Sequence, residues 1–255
     1  MSSIEEHIKA QLLTTKSLPV SPSWISNFFA SISQQQQRAP LSALTQTALF
    51  RILASNFTET LSSSTPSALL PRDISDTAVP ERRIHGPVPA QVLDIEDIGT
   101  SLWSQVEAIE QVERGETVRG REIIRNVNVD GGDDEGNEVR NGNNTASNHS
   151  ATRGPHRLVL QDAAGTKVIA LELTSIEGIA SGKLPIGAKM VLRNTIVGRG
   201  MVLLTPDTVT LLGGKIEGMD AAWRKTRKEN LLARIEAIDG EQRERIANGD
   251  AMDEN

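Results

Sequence analysis

The chain has no cysteine and no tyrosine, and only 3% of its 255 residues are aromatic. Without cysteine there can be no disulfide and no thiolate metal site, which fits a reducing compartment. No apolar run approaches the roughly 20 residues that cross a bilayer, so no membrane partner is expected. The first residues, Met1-Ser-Ser-Ile-Glu-Glu-His7, lack the basic and apolar regions of a secretory signal, so export is not expected. The three Asn-x-Ser/Thr matches, at Asn56, Asn143 and Asn148, are then chance. A hydrophobic content of 38% is low for one packed unit, so part of the length is expected to be unstructured. The net charge of −6 argues against general polyanion binding, though not against a local basic patch.

Catalytic signatures are missing as well. Leu212-Gly-Gly-Lys215 lacks the first glycine and the hydroxyl residue of a phosphate-binding loop and reads as a turn. His7, His85, His149 and His156 show no ligand spacing and are expected at exposed or linker positions. The cluster Asp130, Asp133, Asp134, Glu135 and Glu138 does not alternate as an EF-hand loop does, so a solvated acidic loop is expected. No Ser or Thr sits in a nucleophile elbow. Neither a cofactor nor an enzymatic activity is expected.

What is present begins with helical spacing. Ile4, Ile8, Leu12 and Leu13 mark a first helix; Trp24, Ile25, Phe28, Phe29 and Ile32 a second; Leu41, Leu44, Ala48, Leu49, Ile52, Leu53 and Phe57 a third. Ser21-Pro22 reads as an N-cap followed by proline in the first turn. Residues 1–61 therefore predict a three-helix bundle whose aromatic stripe is expected to pack its core, the alternative being a partner groove. Residues 62–87, rich in Ser and Pro, read as a linker or a surface-hugging segment. Residues 88–98 look extended, and Leu102, Trp103, Val106, Ile109 and Val112 then follow at helical spacing.

Short strands are predicted near 119–129, 156–161, 166–173, 189–197, 200–204 and 208–213, with a connector or short helix at 176–182. Gly198 and Gly200 can supply the positive φ of a tight hairpin. Five or six short strands with one connector suggest a Greek-key barrel of the OB type over residues 88–218. The polar, Gly/Asn-rich tract 128–155 has nothing to bury and is far longer than the usual hairpin loop of about two to five residues. Residues 219–248 return to helical spacing, and 249–255 form a loose acidic tail. The fold class expected is α+β: an N-terminal three-helix bundle, then an OB-fold β-barrel with a long insertion loop, then a C-terminal helix.

Leu184-Pro-x-Gly-x-Lys189, with Asn194, Gly200, Leu203-Leu204, Pro206, Val209 and Leu212-Gly-Gly214, resembles the RecQ-mediated genome instability protein family. Val92-Leu-Asp-Ile-Glu-Asp-Ile-Gly99 and Leu102-Trp-Ser-Gln105 are similar to it too, as is the helical bundle, and the chain looks like a short, fungal-type member. The resemblance implies a nuclear, non-catalytic subunit that joins the type IA enzyme topoisomerase III to a RecQ helicase and promotes double Holliday junction dissolution. It implies that the 128–155 insertion reaches the gate of the topoisomerase. Lys189, which matches the Pro-x-Gly-x-Lys pattern, and Arg193 are the interface residues expected on the barrel. Val127, Val129, Val139, Arg140 and Arg153 are those expected in or beside the insertion. The chain ends too soon for the second OB domain of larger members, so recruitment of a further small OB partner is not expected.

The alternative is a single-stranded DNA-binding OB module. Such folds stack bases on aromatic side chains, worth roughly 1–3 kcal/mol per base, yet residues 122–214 contain no Phe, Tyr or Trp. Arg224, Lys225, Arg227 and Lys228 form the strongest basic cluster. It could contact nucleic acid weakly or serve in nuclear import, against the plainer reading of a solvated helix face.

Overall fold

The computed structural model describes residues 3–32, 39–115, 117–118, 121–122 and 154–250. They divide into two units: residues 1–99 with 153–227, and residues 100–152 with 228–255.

The first unit opens with four helices, α1 (Ser3–Lys16), α2 (Pro22–Ser31), α3 (Leu41–Leu53) and the single-turn α4 (Phe57–Thr60). Ile8 and Leu12, Ile25 and Phe28, and Leu44, Ala48 and Ile52 supply one buried face per helix, with Ile32 and Phe57 closing the cluster. Leu13, one position round from Leu12, turns outward. Residue Ser17 ends α1 with φ 58. Its amide donates to the Leu13 carbonyl, the single bond of a left-handed helix stop, and the Leu18 amide donates to the Leu12 carbonyl. Ser21 precedes α2 without capping it: its hydroxyl pairs with Ser23 Oγ at 2.8 Å instead of a backbone amide.

The remainder of this unit is a sheet of eight strands: β1 (Glu81–Ile84), β2 (Val88–Asp97), β5 (His156–Gln161), β6 (Lys167–Glu172), β7 (Lys189–Leu192), β8 (Thr195–Gly198), β9 (Met201–Leu204) and β10 (Val209–Gly213). Two-residue strands β3 (Thr117–Val118) and β4 (Arg121–Glu122), which belong to the second unit, pair with each other in a separate sheet. The order is β1-β8-β9-β6-β5-β2-β7-β10. All pairings are antiparallel except β6 with β9. Because β7 and β8 are successive pieces of chain, pairing of β7 with β2 and of β8 with β9 brings the ladder back to its start, as an OB barrel requires. The break between them falls at Arg193 and Asn194, where Asn194 takes φ 49, so the strand expected over 189–197 is two strands with different neighbours.

The first barrel strand is β2; of the strand expected over 119–129, Arg121 and Glu122 pair with β3, and the rest lies outside the described residues. The stretch expected to be extended, 88–98, is this strand, and it carries a bulge at Leu93. Val88, Ala90 and Val92 point inward before it and Ile95 and Asp97 after it, so no single alternation runs through the strand. Residues 62–87 are not a linker. Leu70 and Ile74 are buried in the barrel core, and β1 pairs along β8. The 176–182 connector contains no helix; Ile176 and Ile179 close the barrel with Leu184 and Ile186.

At the β8–β9 hairpin the positive φ values belong to Arg199 and Gly200, not to Gly198. A Cβ on Gly200 would meet the Ser75 carbonyl oxygen at 2.6 Å. Gly200→Ala is expected to cost about 2–3 kcal/mol in urea unfolding. Gly182→Ala, with φ +83 but open space around it, should cost about 1 kcal/mol. Equal losses would show that backbone strain alone, not the Ser75 contact, fixes Gly200.

The second unit contains α5 (Leu102–Glu113) and the later part of α6 (Glu217–Asp250), joined by Val106, Leu231 and Ile235. Ser101 caps α5 by accepting from the Ser104 amide at 3.1 Å.

Candidate partner interface

Cross-strand register places Gln161, Gln91 and Lys189 in one row over β5, β2 and β7. Gln91 Oε1 accepts from the Phe57 amide at 3.0 Å and from Lys189 Nζ at 3.1 Å. Its Nε2 donates to Asn56 Oδ1 at 2.7 Å and to Gln161 Oε1 at 2.9 Å, so the full capacity of the amide is used. The Lys189 ammonium also lies 4.8 Å from the centre of the Phe57 ring. This row ties the barrel to the helices.

Lys189 is therefore not a surface contact. Its exposure is 0%, and burial brings its amine down to about 7 from 10.5. The Pro-x-Gly-x-Lys pattern marks an internal junction, which sequence spacing could not distinguish from an exposed one. Arg193 is exposed and lies in the break after β7, where its Nη2 donates to Ser17 Oγ at 2.7 Å. Val127, Val129, Val139, Arg140 and Arg153 lie outside the described residues.

The connection between the first two barrel strands, β2 and β5, leaves and re-enters the sheet through a tight root. The Ile98 amide donates to the Pro155 carbonyl at 3.0 Å, and the Gly99 amide to Asp97 Oδ1 at 2.8 Å. Gly99 and Gly154 meet so closely that a Cβ on either would come within 2.8 Å of its neighbours. The connection thus spans residues 98–155 and contains α5, so it begins well before residue 128.

Below the root sits a buried pair that sequence reasoning missed. His156, expected to be exposed, is enclosed: Nδ1 lies 2.6 Å from Glu172 Oε2, and its own amide donates to the same oxygen at 3.2 Å. Glu172 Oε1 accepts from the Ile176 amide at 2.6 Å. With Nδ1 donating to the carboxylate, Nε2 is the acceptor for the Ser181 amide at 3.4 Å. The signal available was the alternation of β5 and β6, which aims both side chains inward. Beside this pair, Ile98 and Leu173 are 46% and 60% exposed.

The basic cluster on α6 is largely engaged within the protein. Arg224 Nε donates to Asp220 Oδ2 at 2.6 Å. Burial pushes the Asp220 carboxyl up, but Arg224, the Ile186 amide and Lys215 outweigh it and hold the group below its ordinary value. Arg227 lies 5.1 Å over the Trp223 ring, whose Nε1 donates to Asp94 Oδ1 at 2.7 Å. Lys228 pairs with Glu113 at 2.8 Å and Glu110 at 3.1 Å, which raise its amine. Lys225 is exposed. Most of the cluster therefore holds α6 in place, and no Phe, Tyr or Trp stands on the described barrel strands to stack a base. Among the described residues no group of His, Asp and Glu could hold a metal ion.

Residues 70–227 match the family model described as RMI1, N-terminal OB-fold domain, and residues 3–60 match RMI1, N-terminal helical domain. The start at residue 70 coincides with the entry of Leu70 into the barrel core. The chain is similar to the RecQ-mediated genome instability protein 1 of Schizosaccharomyces pombe, 32% identical over 142 residues, covering 54% of this chain and 60% of that protein. The protein of the same name from Mus musculus is 25% identical over 230 residues, 89% of this chain and 33% of its own. That of Xenopus laevis is 40% identical over 81 residues, 31% of this chain and 14% of its own. The matched stretch is thus less than two thirds of each relative's length.

Proposed function

Because the chain belongs to the RMI1 family, its OB-fold match alone spanning residues 70–227, we propose that it is a non-catalytic scaffold subunit in genome stability. It binds topoisomerase III and, with a RecQ-family helicase, promotes double Holliday junction dissolution and decatenation in the nucleus. The observation that carries this reading is the insertion root: a long connection springs from a barrel edge fixed by Ile98, Gly99, Gly154 and Pro155. A fixed root lets a connection of this length be presented to a partner without disturbing the strands that hold it.

The mechanism is differential binding. If the insertion orders only on an open topoisomerase gate, its interaction energy biases the gate by that difference between states. The exposed Ile98 and Leu173 beside the root offer apolar surface for the same contact.

Co-purification with topoisomerase III and a decatenation assay test the reading. Full-length protein is expected to bind and to alter decatenation. A variant with residues 128–150 replaced by a short Gly-Ser link is expected to fold and bind but to lose the effect on decatenation. Full-length protein that neither binds nor alters decatenation would sink the proposal. Strong, length-dependent binding to single-stranded oligonucleotides at physiological salt would replace it with the DNA-binding reading.

A further inference from the structure

Of the chain's three Trp and four Phe residues, Trp24, Phe28 and Phe50 meet in one open cleft of about 320 Å³ between α2 and α3. Trp24 and Phe28 stack at 5.5 Å between ring centres and 12° between planes. Phe50 is 74% exposed, so the helical core does not use it. The Arg51 guanidinium lies 5.2 Å from the Phe28 ring centre, and its Nη1 donates to Ser31 Oγ at 2.7 Å.

We infer that this cleft docks a short linear segment of a partner protein carrying an aromatic or leucine anchor beside a carboxylate. Two features select that occupant. An apolar recess edged by a solvent-facing Phe suits one large apolar side chain, and its volume falls at the small end of ligand pockets, roughly 300–1,000 Å³. The charge of the lining is entirely positive: Arg51 contributes it, and no Asp or Glu lines the cleft. One donor of the guanidinium holds Ser31 while the group lies over the Phe28 ring, leaving its other donors for a carboxylate.

Two other occupants fit less well. Residues 33–38, which follow the helix, read Ser-Gln-Gln-Gln-Gln-Arg and offer neither an apolar side chain nor a carboxylate. A second copy of the chain would need about 800 Å² of contact per partner for a stable dimer, far more than one such cleft provides. The site lies on the helices, apart from the insertion root, and stands independently of the topoisomerase reading.

The test is panning of a library of random peptides, about a dozen residues each, on the full chain. Enrichment of Phe, Trp or Leu with Asp or Glu within a few positions is expected. Affinity of the enriched peptides should fall more than about tenfold on Phe50→Ser, with an unchanged melting temperature because the side chain is exposed. Arg51→Gln should keep the apolar anchor and abolish the preference for acidic neighbours. Enriched peptides that bind Phe50→Ser as well as the parent, or that show no acidic preference, would overturn the inference. So would concentration-dependent dimerisation lost on Phe50→Ser, which would assign the cleft to a second copy.

Discussion

Glu172→Ala is expected to destabilise the protein by about 3–5 kcal/mol, among the largest losses available to a single substitution. The carboxylate is buried and accepts from three donors on two segments: the His156 amide, the His156 ring and the Ile176 amide. Removing it strands all three where water cannot replace it, and each unmet buried group costs about 1–3 kcal/mol. Glu172→Gln keeps the shape but turns an NH2 toward an N–H, so a smaller loss of about 2 kcal/mol is expected. Urea unfolding gives the magnitudes. Hydrogen exchange should show the Ile176 and His156 amides losing protection before the rest of β5 and β6. A Glu172→Ala loss under about 1 kcal/mol would mean that the pair does not hold the insertion root.

The second large effect is a dependence on pH. The Lys189 amine is held near 7 in the folded protein against 10.5 in the open chain. Between these values the unfolded state binds more protons, so stability rises with pH through that window. Below about 7 both states carry the charge and the full cost of burying it remains. The span is about 3–5 kcal/mol, an upper bound because the Gln91 oxygen and Phe57 ring already compensate part of the charge. Lys189→Met fills the same space without a charge. Gln91 Oε1 then still accepts from the Phe57 amide. The variant should be equal to or more stable than the parent at neutral pH and should lack the rise. Lys189→Ala removes the packing as well and should lose about 2–4 kcal/mol. Urea melts at neutral and alkaline pH decide between these outcomes; an identical rise in the Met variant would assign the slope to another group.

Legibility followed local pattern. The helical stripes on α2 and α3, and strands β5, β6, β9 and β10, could be read because one period runs through each. β2 was legible only as an extended stretch, because its bulge changes the phase of alternation at Leu93. The 62–87 segment escaped because two residues, Leu70 and Ile74, do its anchoring with no repeat between them. Site residues were harder. A lysine within a family pattern looks the same whether it faces a partner or a buried glutamine. Lys189 is turned inward by cross-strand register with Gln91 and by the approach of Phe57, contacts made by residues far away in the chain. His156 and Glu172 are likewise joined only by the pairing of β5 with β6.

The close meeting of Gly99 and Gly154 has a consequence for change over evolutionary time. Since the connection starts and finishes at almost the same point, the barrel registers that its ends are joined, not what lies between them. Doubling the length of such a closed segment costs only about 0.6 kcal/mol in chain entropy. Outside α5, which packs on α6 through Val106, Leu231 and Ile235, the stretch between the two glycines can therefore be lengthened, shortened or rewritten almost independently of the barrel that carries it. Selection for a new partner surface can act there as on an exchangeable cassette, while the two glycines, which cannot gain a side chain without separating, stay fixed.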